Sequence, residues 1–192
     1  MRLKKFNFKI INSTNDKAIQ IIKNTNNKSG IVIAEKQKKG RGQYGKKWIS
    51  FKGNLFVSIF FPINRVKLSL KDLTKINCLI VKNFLLGFCK SKISIKKPND
   101  LLINNKKISG ILQETLSKSG ETFMIVGIGV NLIKSPVIKN YLTTNLYDLT
   151  GVKITTNKAT LKLKKIYETF IPIFPIFNIK NLGRNLKWLL LV

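Results

Sequence analysis

Apolar residues change their period several times along the chain. Phe6, Phe8 and Ile10 alternate with polar neighbours, the two-residue repeat of a strand. Ser13, Thr14 and Asn15 follow, residue types that cap helix N-termini, and Ala18, Ile19 and Ile22 then recur at helical spacing. Residues 31–34 read as a short apolar strand, 37–47 as a polar glycine-rich loop, and 54–61 as a buried strand that stops at Pro62. The longest helix is expected over 70–90, with Leu73, Ile76, Ile80, Phe84 and Phe88 on one side. Ile93 and Ile95 alternate again. Residues 101–109 read as a hairpin turning at Asn104-Asn105, a pair that tolerates left-handed backbone. Two more strands are expected over 110–116 and 122–132, and helices over 145–149 and 158–170. Hairpins and helices around one mixed sheet make an α/β (α+β) fold without regular βαβ alternation or an internal repeat.

A chain of 192 residues suits one domain, and its apolar fraction of 44% allows a sizeable core. No apolar run reaches the roughly 18 residues of a membrane helix, and no signal core follows the basic N-terminus. The cytoplasm is the expected compartment. With two cysteines and no histidine, a Cys/His metal centre is excluded, and Cys78 and Cys89 read as buried thiols. The charge is extreme: 36 Lys+Arg against 8 Asp+Glu, net +28. Such a surface attracts polyanions. The cations are spread over the whole chain, however, and Asn and Ile are abundant too, a pattern of compositional drift. Charge alone supports only non-specific nucleic-acid binding. Against that background the four arginines stand out, because a guanidinium offers a planar fork of donors that an ammonium cannot copy.

One of the four, Arg41, lies in Gly40-Arg41-Gly42-Gln43-Tyr44-Gly45, which matches GxGxxG. A dinucleotide-binding loop would open a helix within the motif. Here Trp48-Ile49-Ser50 and Gly53 follow, which favours extended structure. The next acid, Asp72, falls in the long helix, so the ribose-binding acid is missing. What remains is a flexible loop with Arg41, Lys46 and Lys47 to neutralise phosphate and an indole to cover a ring. A solvated surface loop would share those features.

Read in order, Ser13-Thr14-Asn15, the stretch from Gln37 to Trp48, Gly53-Asn54-Leu55, Lys97-Pro98-Asn99-Asp100, the stretch from Lys106 to Glu114 and Gly127-Ile128-Gly129-Val130-Asn131 resemble the catalytic domain of the biotin–protein ligases, also called biotin–acetyl-CoA-carboxylase ligases. The similarity covers about residues 10 to 170. It implies a mixed α/β sheet related to class II aminoacyl-tRNA synthetases. It implies two half-reactions: biotin and ATP give biotinyl-5′-adenylate and pyrophosphate, and the acyl group moves to a lysine of a biotin carboxyl carrier protein domain of acetyl-CoA carboxylase. It implies Arg41 and Lys107 as the catalytic cations. Biotin would be bound by Ser13, Thr14, Asn15, Gln37, Arg41, Gly42, Gln43, Lys107, Gly110 and Leu112. ATP and the adenylate would be bound by Lys46, Trp48, Asn99, Asp100, Gly127, Gly129 and Asn131. With so few acids, Mg²⁺ would be held mainly by ATP phosphates, and the chain itself has no metal site.

The chain departs from the family in several places. Gln43 stands where many relatives have arginine, Lys46 replaces a later arginine, and Lys97 replaces a tryptophan before the proline. The motifs begin so early that no winged-helix DNA-binding domain is expected. A catalytic domain over 1–176 is expected to end in a short tail, 177–192, in place of an SH3-like barrel. No specific DNA or membrane partner is implied, and the oligomeric state stays open. Two other readings remain at this point: a lipoate- or octanoate-transferring relative of the same fold, and a non-catalytic basic RNA-binding domain.

Overall fold

The computed structural model describes residues 1–64, 68–139 and 141–176, the side chains of 175 and 176 excepted; the tail expected over 177–192 lies outside the described residues. Seven strands form one sheet in the order β1-β2-β3-β7-β6-β5-β4. They are β1 (Lys4–Ile11), β2 (Gly30–Gln37), β3 (Leu55–Pro62), β4 (Ile93–Lys96), β5 (Asp100–Ile103), β6 (Lys106–Lys118) and β7 (Glu121–Val130). The helices are α1 (Thr14–Asn24), α2 (Leu70–Leu86), α3 (Leu146–Thr150) and α4 (Thr156–Phe170). The mixed sheet flanked by helices is the expected one. Only β1 and β2 run parallel, because α1 connects them as a crossover; the other neighbours are antiparallel.

Local chemistry sets these boundaries. Ser13 caps α1 by accepting a hydrogen bond from the Asp16 N–H, and Ser69, Asn145 and Thr155 cap α2, α3 and α4 in the same way. The turn after β5 has Asn104 and Asn105 at φ 50° and 60°, the left-handed pair a two-residue hairpin needs. Three departures from the expected boundaries have a clear local cause. The strands expected over 101–109 and 110–116 meet in one long β6, because Gly110 continues the ladder opposite Gly129. The long helix stops at Leu86, where Gly87 takes the C-cap position and its N–H bonds the last turn. Asn54 does not begin β3; its buried side chain ties off the end of β7. Its Oδ1 accepts from the N–H groups of Leu132, Ile133 and Lys134, and its Nδ2 donates to the Lys134 carbonyl at 2.7 Å.

The two sheet faces are used differently. Val57, Ile59 and Phe61 of β3 and Met124, Val126, Ile128 and Val130 of β7 point to the large core beneath α2 and α4. The alternate positions face α1. At one end of that face Phe60, Phe123 and Ile125 pack against Ala18, Ile21 and Ile22 of α1. At the other end lie Ser58 of β3, Gly127 and Gly129 of β7 and Gly110 of β6, paired Ser58↔Gly127 and Gly110↔Gly129. The period-2 alternation that builds the core therefore leaves a small-residue floor just beyond α1.

Candidate active site

That floor underlies a cleft of about 630 Å³. All seventeen residues singled out from the sequence line it, drawn from every one of the six motif segments except Gly53-Asn54-Leu55. That segment contributes the Asn54 anchor instead. One end of the cleft is a neutral hydrogen-bonding pocket. The β1–β2 pairing continues past both strands, through Lys38 N–H to Ile11 O and Lys39 N–H to Asn12 O, and so brings Gln37 against the start of α1. Gln37 Oε1 accepts from the Thr14 N–H at 2.8 Å and lies 3.1 Å from Thr14 Oγ1. Ser58 Oγ sits 2.8 Å from Thr14 Oγ1 and is hydrogen-bonded to Asn15 Oδ1. Asn15 Nδ2 donates to the Leu112 carbonyl at 3.2 Å and to Glu114 at 2.6 Å. Ser13, Thr14, Asn15 and Ser58 are all buried, so breaking this network would strand polar groups away from water.

The glycine-rich segment has a defined shape where a flexible loop was expected. Trp48 N–H bonds Gly40 O, Arg41 pairs with Lys47, and Gly42 N–H bonds Lys46 O, which makes a two-stranded flap over the cleft. Tyr44 and Gly45 turn its tip at φ 54° and 72°. Gln43 and Lys46 flank that tip. Arg41 reaches away from the flap to α1 and β6: its Nη2 lies 2.7 Å from Asp16 Oδ1 and 2.8 Å from Glu114 Oε2. Burial works against the guanidinium charge, but Glu114 and Asp16 outweigh it and raise the Arg41 pKa.

The floor glycines house the protein's own side chains. A Cβ added to Gly127 would lie 2.3 Å from Asn15 Oδ1. One added to Gly129 would lie 2.4 Å from the Trp48 indole, and one at Gly110 would lie 2.7 Å from it. These glycines seat Asn15 and Trp48, which face the cleft. Trp48 Nε1 is buried beside Gly129 without an acceptor.

At the other end a bulge between β5 and β6 places Lys107. Asp100 pairs with Gly110 and Leu101 with Ser109, but Leu102 then pairs with Lys107, so Ile108 is the extra residue. Lys107 is thereby turned toward Gly110 and Asp100. Its Nζ lies 2.7 Å from Asp100 Oδ1 and 5.3 Å from the Trp48 ring centroid. Asn99 binds the Ile111 carbonyl through its side chain, and Asn131 binds the Thr144 carbonyl. Tyr141 and Thr143, from the stretch after β7, also line the cleft. No motif pointed to them; the only local signal was the threonine-rich run before the Asn145 cap.

The family model for the biotin/lipoate A/B protein ligases matches residues 7–131. The chain belongs to the biotin/lipoate A/B protein ligase family. Its relatives include the bifunctional ligase/repressor BirA of Escherichia coli, 32% identical over 162 residues, which cover 83% of this chain and 50% of that protein. The biotin–[acetyl-CoA-carboxylase] ligase of Paracoccus denitrificans is 33% identical over 127 residues, 65% of this chain and 52% of the relative. The chain spans about half the length of the curated relatives it matches. Among solved structures, the Aquifex aeolicus biotin protein ligase in complex with biotin and ATP is 30% identical, with a TM-score of 0.74 over 90% of this chain and 72% of that one. The Leishmania major ligase in complex with biotinyl-5-AMP shares the fold at a TM-score of 0.80, with 22% identity over 97% of this chain and 81% of that one. Among the described residues of this family member, no helix is long and apolar enough to cross a membrane.

Proposed function

We propose that this chain activates biotin with ATP and transfers it to a lysine of a carrier protein. The observation that carries the reading is the division of the cleft. A neutral donor–acceptor pocket at Thr14, Asn15 and Gln37 lies at one end, with Arg41 beside it on Asp16 and Glu114, and Lys107 and Trp48 lie at the other. The pocket suits an uncharged ureido ring. Biotin's carboxylate would then point toward Lys107 and Arg41. Two anions must meet for that carboxylate to attack the α-phosphate, and positioned cations remove the repulsion and stabilise the charge of the transition state. Attack forms the mixed anhydride and expels pyrophosphate. Trp48 and Asn131 would contact adenine, and Asn99 would steady the nucleotide. Among the described residues Asp100 is the one carboxylate lining the cleft, and it is engaged by Lys107, so the donor set suits Mg²⁺ carried on the ATP phosphates rather than caged by protein.

The acceptor that fits the reading is a biotin carboxyl carrier protein domain of acetyl-CoA carboxylase, met in the cytoplasm. Relatives that bind biotin with ATP support this over a lipoate-transferring reading. The test is ATP–pyrophosphate exchange with biotin, lipoate, octanoate or no acid. Biotin alone should support exchange; equal exchange with lipoate would overturn the substrate assignment. No exchange by folded protein, with salt-sensitive RNA binding, would favour the binding-domain reading.

A further inference from the structure

The stretch that follows β7 grips Lys107 from two directions. On the backbone, Lys107 N–H donates to Leu142 O at 2.8 Å and Thr144 N–H donates to Lys107 O at 2.9 Å, a short parallel pairing of Lys107 with Thr143. On the side chain, the Tyr141 hydroxyl donates to Asp100 Oδ2 at 2.7 Å while Asp100 Oδ1 takes the Lys107 ammonium at 2.7 Å. Both carboxylate oxygens are thus engaged, one by each partner. Burial, and then the bond to Asp100, raise the phenol pKa far above its ordinary value, so the hydroxyl remains a donor at any working pH. The Tyr141 ring lies between two cations, with its centroid 4.7 Å from Lys96 Nζ and 5.5 Å from Lys107 Nζ.

That crowding is what makes the hydroxyl matter. Lys96, Lys97 and Lys139 line the same cleft as Lys107, and any of these ammoniums could compete for the single carboxylate. The terminal torsion of an aspartate is soft, so an untethered Asp100 could turn to another of them. We propose that Tyr141 is a positioning residue: its hydroxyl pins Asp100 so that the carboxylate serves Lys107 alone and holds that ammonium against the reacting centre. Tyr141 touches no reacting atom in this scheme and acts through Asp100. The catalytic consequence rests on the ligase reading above, whereas the effect on Lys107 itself does not.

Tyr141→Phe keeps the ring and removes only the hydroxyl. Two measurements test the proposal. The first is site-resolved acetylation of the folded, ligand-free protein by an N-hydroxysuccinimide ester, read by peptide mass spectrometry. Lys107 should label about three- to tenfold faster in the variant, with Lys106 unchanged, as expected for loss of a hydrogen bond of ordinary net strength. Asp100→Asn should speed Lys107 labelling to the same degree, and this second variant stands in if Tyr141→Phe does not fold. The second is biotin-dependent ATP–pyrophosphate exchange. In Tyr141→Phe kcat should fall about tenfold with KM for biotin and ATP within about twofold, and Tyr141→Phe added to Asp100→Asn should cost nothing more. Unchanged Lys107 labelling, a defect confined to KM, or additive effects of the two substitutions would overturn the proposal. Absence of exchange in the unsubstituted protein would instead overturn the ligase reading, and the labelling result would still decide the role of Tyr141.

Discussion

The cleft holds its two expected catalytic cations in different ways. At the rim, Arg41 is shared by Asp16 and Glu114, with the three side chains 39%, 49% and 27% exposed. At the floor, Lys107 and Asp100 are 21% and 17% exposed, and Asp100 is tied by Tyr141 as well. Exposed ion pairs are screened and worth at most about 1 kcal/mol. Pairs drawn out of water are held by additional hydrogen bonds and are costly to break from one side. The difference matches what each place has to do. On the proposed function, the flap that carries Arg41 would admit and release ligands, which calls for a tether that breaks readily. On the same reading, the Lys107 ammonium would have to be in place before substrate arrives.

The widest contrast should come from the floor itself. Lys107→Ala is expected to slow adenylate formation by about 10²–10³, the scale of one lost transition-state donor. Lys106→Ala, on the exposed side of the same hairpin, should change it less than about twofold. Equal small effects in single-turnover adenylation would make Lys107 an ordinary surface lysine. At the rim, Glu114→Gln should raise KM for biotin about threefold to fivefold at low salt, because it loosens both Arg41 and Asn15. The gap from the unsubstituted protein should narrow at high ionic strength. A salt-independent effect would mean that the Asn15 contact, not the ion pair, matters there.

A smaller effect is expected at the flap tip. Gln43 offers a neutral amide where a second guanidinium would add charge-assisted bonds to the adenylate, a reactive mixed anhydride. Gln43→Arg should slow adenylate release about twofold to threefold in a filter assay without carrier protein. Identical release rates would mean that other groups retain the intermediate.

The smallest effect belongs to a pair outside the cleft, Lys164–Glu168 on α4. Burial pushes the Glu168 carboxyl up, but Lys164 and the Leu3 N–H outweigh it and hold the pKa below its ordinary value. A depressed carboxylate stabilises the fold above its unfolded pKa and loses that contribution as pH falls through the folded value. The Tm advantage over Glu168→Gln should therefore be steady near neutrality and close as pH drops below about 4, with exchange activity unaffected.

Much of this organisation was legible in the chain because its signals are local. The Ser13 cap, the Asn104-Asn105 turn and the six motif segments can each be read within a few residues. Even so, the motifs reported identities more faithfully than partners. Gly110, Gly127 and Gly129 could be read as site positions, but what packs over them, Asn15 and Trp48, comes from over sixty residues away in the chain. Glu114 lies 73 residues from Arg41, and nothing near either residue announces their pairing. The role of Ile108 as a bulge depends on the register of β5, which residue types do not encode. Tyr141 lay in a stretch without periodicity or motif, and only tertiary packing places its hydroxyl on Asp100.

The glycine floor also limits how this gene product can vary. A chain carrying 36 Lys+Arg has accepted long side chains over most of its surface. At Gly110, Gly127 and Gly129 even one added carbon would land within 2.7 Å of an atom already in place. Two of those collisions are with the Trp48 indole and one with the buried amide of Asn15, neither of which can move without unmaking a wall of the cleft. Compositional drift can therefore recolour the exterior freely while these three positions stay closed to it, and a saturation library should show them as sharp gaps among tolerant neighbours.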